Sequence, residues 1–303
     1  MSVLTAAVRI RHRPLAYSAP VALSLVIWVY APMIATAVVS VLEWNLTTRA
    51  EFVGFDNFRR LFDDEQFRRA IWQTGVYVLL MLPLATLVPL GLAVALWLRP
   101  GRVSTVYRAL LFLPVVLAPA ANAVSWQFML NPLQGIANTV LRDLGLPAQN
   151  WLGDAALAPA VIVVITAGKI IGLDVLLFSA ALANIDQSGL EAARVEGAST
   201  WETVRYIVLP QLTRSVVLLG LLCVLLAGQW VFTNVAILTQ GGPEGSTDNI
   251  YYRLYTYGFT FFDSGTAAAS AVLIVLAIGG AYLLGQCGAR LVRRAGATAG
   301  GAR

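Results

Sequence analysis

Charge is scarce in this 303-residue chain: Asp, Glu, Lys and Arg together make up 12%, about half the share usual in a soluble domain. There is one lysine, Lys169, one histidine, His12, and two cysteines, Cys223 and Cys287. Two cysteines inside apolar runs make neither a disulfide framework nor a metal site. The histidine stands among Arg9, Arg11 and Arg13 near the N-terminus, so there is no Cys/His ligand cluster, and no Ser/His/Asp triad can be assembled in the apolar segments. Gly168-Lys169 lacks both the upstream glycine and the following Ser or Thr of a nucleotide-binding P-loop. If ATP drives this protein, another chain binds it. The net charge of +5 calls for no nucleic acid, because the basic residues flank apolar runs.

Those runs are what the sequence has in abundance. Hydrophobic residues make up 58% of the chain, mean hydropathy is +0.73, and stretches long enough to cross a bilayer core, about 20 residues, recur throughout. The expectation is an all-α, multi-pass membrane protein in one domain, 1–303, with six spans: Ser18–Leu42, Ile71–Leu98, Ala109–Leu130, Ala158–Leu182, Val216–Leu238 and Ala267–Cys287. Arginines precede the first run, but it is too long for a signal-peptide core and reads as an uncleaved span. With the N-terminus in the cytoplasm, thirteen basic residues fall inside (Arg9, Arg11, Arg13, Arg99, Arg102, Arg108, Arg194, Arg205, Arg214, Arg290, Arg293, Arg294 and Arg303) and seven outside. The positive-inside bias puts both termini in the cytoplasm.

Two polar loops carry pattern. In the first outer loop, Phe58, Leu61, Phe62, Phe67, Ala70 and Ile71 recur at helical spacing, which reads as one or two short interfacial helices and is compatible with a docking surface. The loop after the fourth span, residues 186–213, reads as two short helices about a hinge. Ser188 with Glu191 forms a capping box, Gly197 stands where a left-handed residue would close the helix, Ser199 with Glu202 forms a second box, and Pro210 limits the second helix. Small Ala192 and Ala193 would let a partner approach closely; such a hairpin suits either an interfacial position or a helix-in-groove contact.

Glu191-Ala192-Ala193, three residues, Gly197, nine residues, then Ile207-Val208-Leu209-Pro210 resembles the EAA loop of ABC importer permeases. The resemblance extends along the chain. Phe52-Val53-Gly54-Phe55-Asp56-Asn57-Phe58 resembles the outer-loop motif of the carbohydrate (maltose-type) permeases, Leu111-Phe112-Leu113-Pro114 the start of a later span, and Thr239-Gln240-Gly241-Gly242-Pro243 their last outer loop. Ala118-Pro119, the segment Phe128 to Pro132, and Ile250-Tyr251-Tyr252-Arg253-Leu254-Tyr255 with Gly258-Phe259-Thr260 are most similar to the sn-glycerol-3-phosphate branch.

The resemblance implies a type I ABC importer permease fold with cytoplasmic coupling helices, in a bacterial inner membrane. It implies that Glu191, Ala192, Ala193, Gly197, Ile207, Leu209 and Pro210 transmit motion from ATP-binding subunits. The chain itself would be no enzyme and hold no metal or cofactor, ATP and Mg being bound by partner chains. The partners implied are a second homologous permease in a heterodimer, two ATP-binding subunits and an extracytoplasmic solute-binding protein.

Polar residues within the spans are the candidates for a substrate path. Lys169 and Asp174 lie in the fourth span, about 7.5 Å apart along a helix and about 140° apart around it, so they do not neutralise each other on one face. Intramembrane charges face a bundle interior, a partner or a water-filled path; the pair serves either substrate contact or pairing with neighbouring spans. The family often has Trp-Lys where this chain has Gly168-Lys169. Asn122, Gln127, Gln229 and Asn234 have the amides that hydroxylated substrates need, and amides also join membrane helices at about 0.6–2 kcal/mol each. Trp126 and Trp230 read as interfacial or packing tryptophans. The expected function is half of the translocation path for sn-glycerol-3-phosphate, a glycerophosphodiester or a related sugar. The alternatives are a di- or oligosaccharide permease and, more remotely, an ATP-independent secondary transporter, against which the coupling loop argues.

Overall fold

A computed structural model describes residues 14–47 and 49–300, with side chains from 18 to 280, 282 and 283 apart from residue 48. His12, Arg9, Arg11, Arg13 and Arg303 lie outside the described residues, as do the side chains of Cys287, Arg290, Arg293 and Arg294. In chain order the elements are α1 (Pro14–Leu25), a π-turn (Val26–Tyr30), α2 (Ala31–Val39), strands β1 (Leu42–Glu43) and β2 (Glu51–Phe52), α3 (Asp56–Asp63), α4 (Glu65–Leu98), α5 (Arg102–Val116), α6 (Pro119–Met129), α7 (Ile136–Asp143), α8 (Ala158–Ala183), α9 (Gln187–Val195), α10 (Thr200–Thr203), a second π-turn (Val204–Val208), α11 (Leu209–Leu238), α12 (Ile250–Tyr255), a third π-turn (Thr256–Thr260) and α13 (Ser264–Gly300). The chain is mostly helical, as expected; the antiparallel pairing of Leu42 with Phe52 and Glu43 with Glu51 is an addition to the all-α reading.

Four helical stretches among the described residues are long and apolar enough to cross a membrane: Ser18–Val39, Glu65–Leu98, Ala158–Ala183 and Thr200–Leu238. The third expected span is broken. α5 and α6 meet at 99°, because Leu117 and Ala118 are extended (ψ 136° at both). Pro119 explains Ala118: the residue before a proline is driven out of the α region, and proline itself suits the first turn of the next helix. The sixth expected span falls in α13, whose apolar stretch among the described residues is Ser264–Gly280.

Prolines bend this chain without always ending its helices. Pro210 was expected to limit a helix; instead, helix runs from Thr200 to Leu238. The Leu209 N–H bonds to the Val204 carbonyl five residues back, and the wider π-turn takes up the disruption that proline brings to an α ladder. The same device precedes Pro32, where the Ala31 N–H bonds to the Val26 carbonyl.

The described residues form two compact units. One comprises the segments up to Asp63 and from Thr256 onward. In it, buried Asn57 donates to the Ser40 and Leu42 carbonyls, both at 2.9 Å, and the Ser264 and Gly265 N–H groups bond to the Trp44 carbonyl. Gly265 leaves no room for a side chain, since a Cβ would collide with the Leu42 carbonyl. The Phe52–Phe58 motif thus builds a turn: Gly54 has φ +60° and Asn57 ties it to β1. The second expected interfacial helix is absent as a separate element, because the segment after Asp64 runs on into α4; Asp64 caps that helix by accepting from the Gln66 N–H at 2.8 Å.

The other unit, Asp64–Tyr255, is organised around α8. This helix packs on α4, α5 and α11, and α11 packs in turn on α4 and α6. One core cluster joins Tyr77, Met81, Ile162, Ile170, Cys223 and Val235; another, nearer the ends of α4 and α8, joins Ala93, Phe178, Leu182, Leu190, Val204 and Val208. Asn138 organises the loop after α6: its amide donates to the Pro132 and Gln149 carbonyls and accepts from the Gln149 N–H and Trp151 Nε1, at 2.8–3.1 Å. Replacing Asn57 or Asn138 by Ala should each cost about 1–3 kcal/mol, because buried partners are orphaned; thermal unfolding of the detergent-solubilised protein measures this, with exposed Gln127→Ala as the neutral reference.

Candidate functional site

The loop at residues 186–213 is a rigid hairpin rather than a turn. α9 starts earlier than the Ser188 box implied: Asp186 is the cap, accepting from the Ser188 N–H at 3.0 Å and from its Oγ at 2.6 Å, and these bonds hold its carboxyl below the usual range. Glu191 is therefore not a capping residue; it lies exposed on α9. At the far end Gly197 takes φ +74°, with its N–H on the Arg194 carbonyl and the Ala198 N–H on the Ala193 carbonyl. This paired closure favours glycine, since the left-handed region penalises a Cβ. The box expected at Ser199 is present, with the Ser199 N–H donating to Glu202 at 2.8 Å and the Glu202 N–H to Ser199 Oγ at 3.3 Å. Glu202 is held low by the bonds from Ser199.

The two alanines do different things. Ala192 is exposed, whereas Ala193 is buried at the wall of the cavity between α9 and the next helix. Leu190, Val204 and Val208 anchor the hairpin beneath Phe178 and Leu182, with Ile207 and Leu209 packed at the edge; Pro210 is exposed. A cavity of about 500 Å³ remains open between α9 and the start of the Thr200–Leu238 helix, lined by Ala192, Glu196, Gly197, Glu202 and Tyr206 among others.

Within the spans, two of the polar candidates fall on adjacent rungs between α8 and α11. On one rung the Lys169 ammonium bonds to the Leu117 carbonyl and lies 5.3 Å from the ring centroid of Trp230. On the next, Asn234 donates to Thr166 Oγ1 at 2.8 Å. Trp230 and Asn234 are four residues apart on α11, and Thr166 and Lys169 three apart on α8, so each pair shares a helix face. The Leu117 carbonyl is available because the chain leaves the helix there. Trp230 supplies from α11 the aromatic that Gly168 does not. An ammonium has three donor hydrogens, and among the described residues this one donates to one acceptor, the Leu117 carbonyl.

Asp174 is fully buried, and neither carboxylate oxygen has a hydrogen-bond partner among the described residues. Asn122 is buried at the start of α6, while Gln127 and Gln229 are exposed and are not brought to the rungs. Trp126 and Trp230 are half-buried against the core.

The family described as "Binding-protein-dependent transport system inner membrane component" matches residues 64–293. The chain belongs to this family. It is a permease subunit of an ABC importer, a non-catalytic, multi-pass component of the inner membrane. The permease is 34% identical over 233 residues, 76% of its own length and 78% of the relative's, to the sn-glycerol-3-phosphate transport system permease protein UgpA of Pectobacterium atrosepticum. It is 28% identical over 259 residues, 84% of its length and 88% of the relative's, to the probable ABC transporter permease protein YurN of Bacillus subtilis. Among solved structures it is similar in fold to a bacterial ABC transporter involved in the import of the acidic polysaccharide alginate, with TM-score 0.80, 22% identity and coverage of 93% and 96% of the two chains. It is also similar to the MetNI methionine ABC transporter, with TM-score 0.56, 18% identity and coverage of 74% and 94%.

Sequence reading passed over several residues that organise the permease. Thr166 was legible as the polar residue three before Lys169. The loop Gly241–Gly245 belongs to a folded segment: Thr239 and Thr247 hydroxyls bond at 2.7 Å, Tyr77 donates to the Thr247 carbonyl at 3.2 Å, and Arg253 pairs with Asp248. Burial raises the Asp248 carboxyl above its usual range even with Arg253 beside it.

For the first rung, Lys169→Met should destabilise the solubilised permease by about 1–3 kcal/mol through the orphaned Leu117 carbonyl, and Trp230→Leu should also destabilise it. Thermal melts of the two single variants and the double variant should give a coupling energy above about 0.5 kcal/mol; strict additivity would mean that the ring and the ammonium do not interact.

Proposed function

We propose that the permease forms half of the translocation path of an importer for sn-glycerol-3-phosphate, a glycerophosphodiester or a closely related sugar. The observation that carries this is the 34% identity to UgpA over three-quarters of the chain. The partners are a second, homologous permease, two ATP-binding subunits that hold ATP and Mg, and an external solute-binding protein. Both termini lie in the cytoplasm, and the 186–213 hairpin faces the ATP-binding subunits.

The geometry supports a lever. α9 and the Thr200 end of the long helix form one hard end, locked by the Gly197 closure and the Ser199 box. That helix is 39 residues long, about 58 Å at 1.5 Å per residue, and it carries Trp230 and Asn234 near its other end. A push at Glu191, Ala192 and Gly197 therefore reaches the rungs through one element, with the π-turn at Val204–Val208 as its compliant point. At the rungs Lys169 has donor capacity for an anionic or hydroxylated substrate, and Asn234 has an amide for hydroxyls.

Glu191→Lys or Gly197→Val should abolish uptake while leaving membrane insertion intact; normal substrate-stimulated transport in either variant refutes the coupling role. Lys169→Ala should lower uptake and retain the basal ATPase of the assembled complex. In proteoliposomes with binding protein present, sn-glycerol-3-phosphate or its diesters should stimulate ATP hydrolysis. Stimulation by a di- or oligosaccharide alone would keep the importer and replace the substrate.

A further inference from the structure

The turn between α4 and α5 does more than reverse the chain. Gly101, with φ +149°, lets it reverse in two residues after Arg99, and Ser104 Oγ donates to the Leu96 carbonyl at 2.9 Å, fastening the start of α5 to the end of α4. The turn surrounds a cavity of about 700 Å³ lined by Arg99, Arg102, Tyr107, Leu96, Leu98 and Val103 among others. No carboxylate lines it, and neither guanidinium forms an ion pair among the described residues. Two unpaired arginines on an apolar wall call for an anionic group with an apolar continuation.

α5 itself carries the continuation. Val103, Val106, Tyr107, Leu110 and Leu113 recur at helical spacing, each more than half exposed, in an apolar stripe that begins at the cavity and runs along the helix. Guanidinium groups bind phosphate oxygens in bidentate fashion, and basic pockets at membrane-embedded helix ends suit phospholipid headgroups. Tyr107, exposed at the cavity wall, has the amphipathic ring that favours a membrane–water boundary.

We propose that the α4–α5 turn binds an anionic phospholipid, its phosphate on Arg99 and Arg102 and an acyl chain along the Val103–Leu113 stripe. Its assignment to the cytoplasmic leaflet rests on the topology proposed above; the lipid chemistry does not.

The test uses the complete importer, delipidated in neutral detergent and titrated with phosphatidylglycerol, with phosphatidylcholine of the same chains, and with inorganic phosphate as competitor, bound lipid being counted by native mass spectrometry. The double variant Arg99→Gln/Arg102→Gln should retain fewer phosphatidylglycerol molecules per complex and bind the remaining site at least fivefold more weakly. Leu110→Gln should weaken binding to a smaller degree, and Arg142→Gln should leave it unchanged. Equal retention by the double variant, equal binding of phosphatidylcholine, or displacement of the lipid by millimolar inorganic phosphate each overturns the proposal, the last in favour of a free-phosphate site. Labelling of Val103→Cys by an impermeant maleimide tests the leaflet separately: reaction only in inverted vesicles is expected, and reaction in right-side-out vesicles would refute the topology while leaving the lipid titration to stand or fall alone.

Discussion

Hydrocarbon offers no water to an unpaired backbone group, so every place where a membrane helix of this permease departs from α geometry has to be satisfied from within. The departures are few and each has its remedy. Before Pro32 and Pro210 a π-turn widens the ladder and keeps the helix whole. At Leu117 and Ala118 the chain cannot stay helical ahead of Pro119, and the carbonyl released there is met by the only lysine in the sequence. Lys169 is therefore first of all the answer to a backbone problem, and its position over Trp230 follows from where that carbonyl lies.

The same constraint explains why the interior of the second unit is arranged in rungs. α8 is the most buried of the spanning helices, and α11 and the broken segment supply partners for two of its polar side chains. Thr166 finds Asn234, Lys169 finds Leu117 and Trp230, and Asp174 finds no hydrogen-bond partner among the described residues. A fully buried carboxylate without a donor is costly.

Much of the architecture could be read from residue order alone. Charge scarcity and apolar runs identified the membrane class and placed the spans on helices, because length and hydropathy are one-dimensional quantities. The hairpin at 186–213 was legible in outline for the same reason: a left-handed glycine and a Ser199–Glu202 box are local devices. What was misread there turned on two-residue choices. Ser188 and Asp186 compete to cap one helix and the aspartate wins, and Pro210 reads as a stop until a π-turn is allowed for. Gly265 was silent because its meaning lies in the Leu42 carbonyl, far away in the chain.

By itself, then, the sequence determined that this chain crosses a membrane in helices, that it carries no P-loop pattern, and that one loop is built as a capped helical hairpin. Each of these depends on composition or on contacts within a turn or two of helix. Only the tertiary structure decided which intramembrane polar residues stand together, that Ala193 is buried while Ala192 is exposed, and that two arginines at a tight turn share a cavity with an apolar stripe. Those outcomes depend on how α4, α5, α8 and α11 are rotated against one another, and the rotation is set by packing around small residues such as Gly172, which hydropathy does not encode.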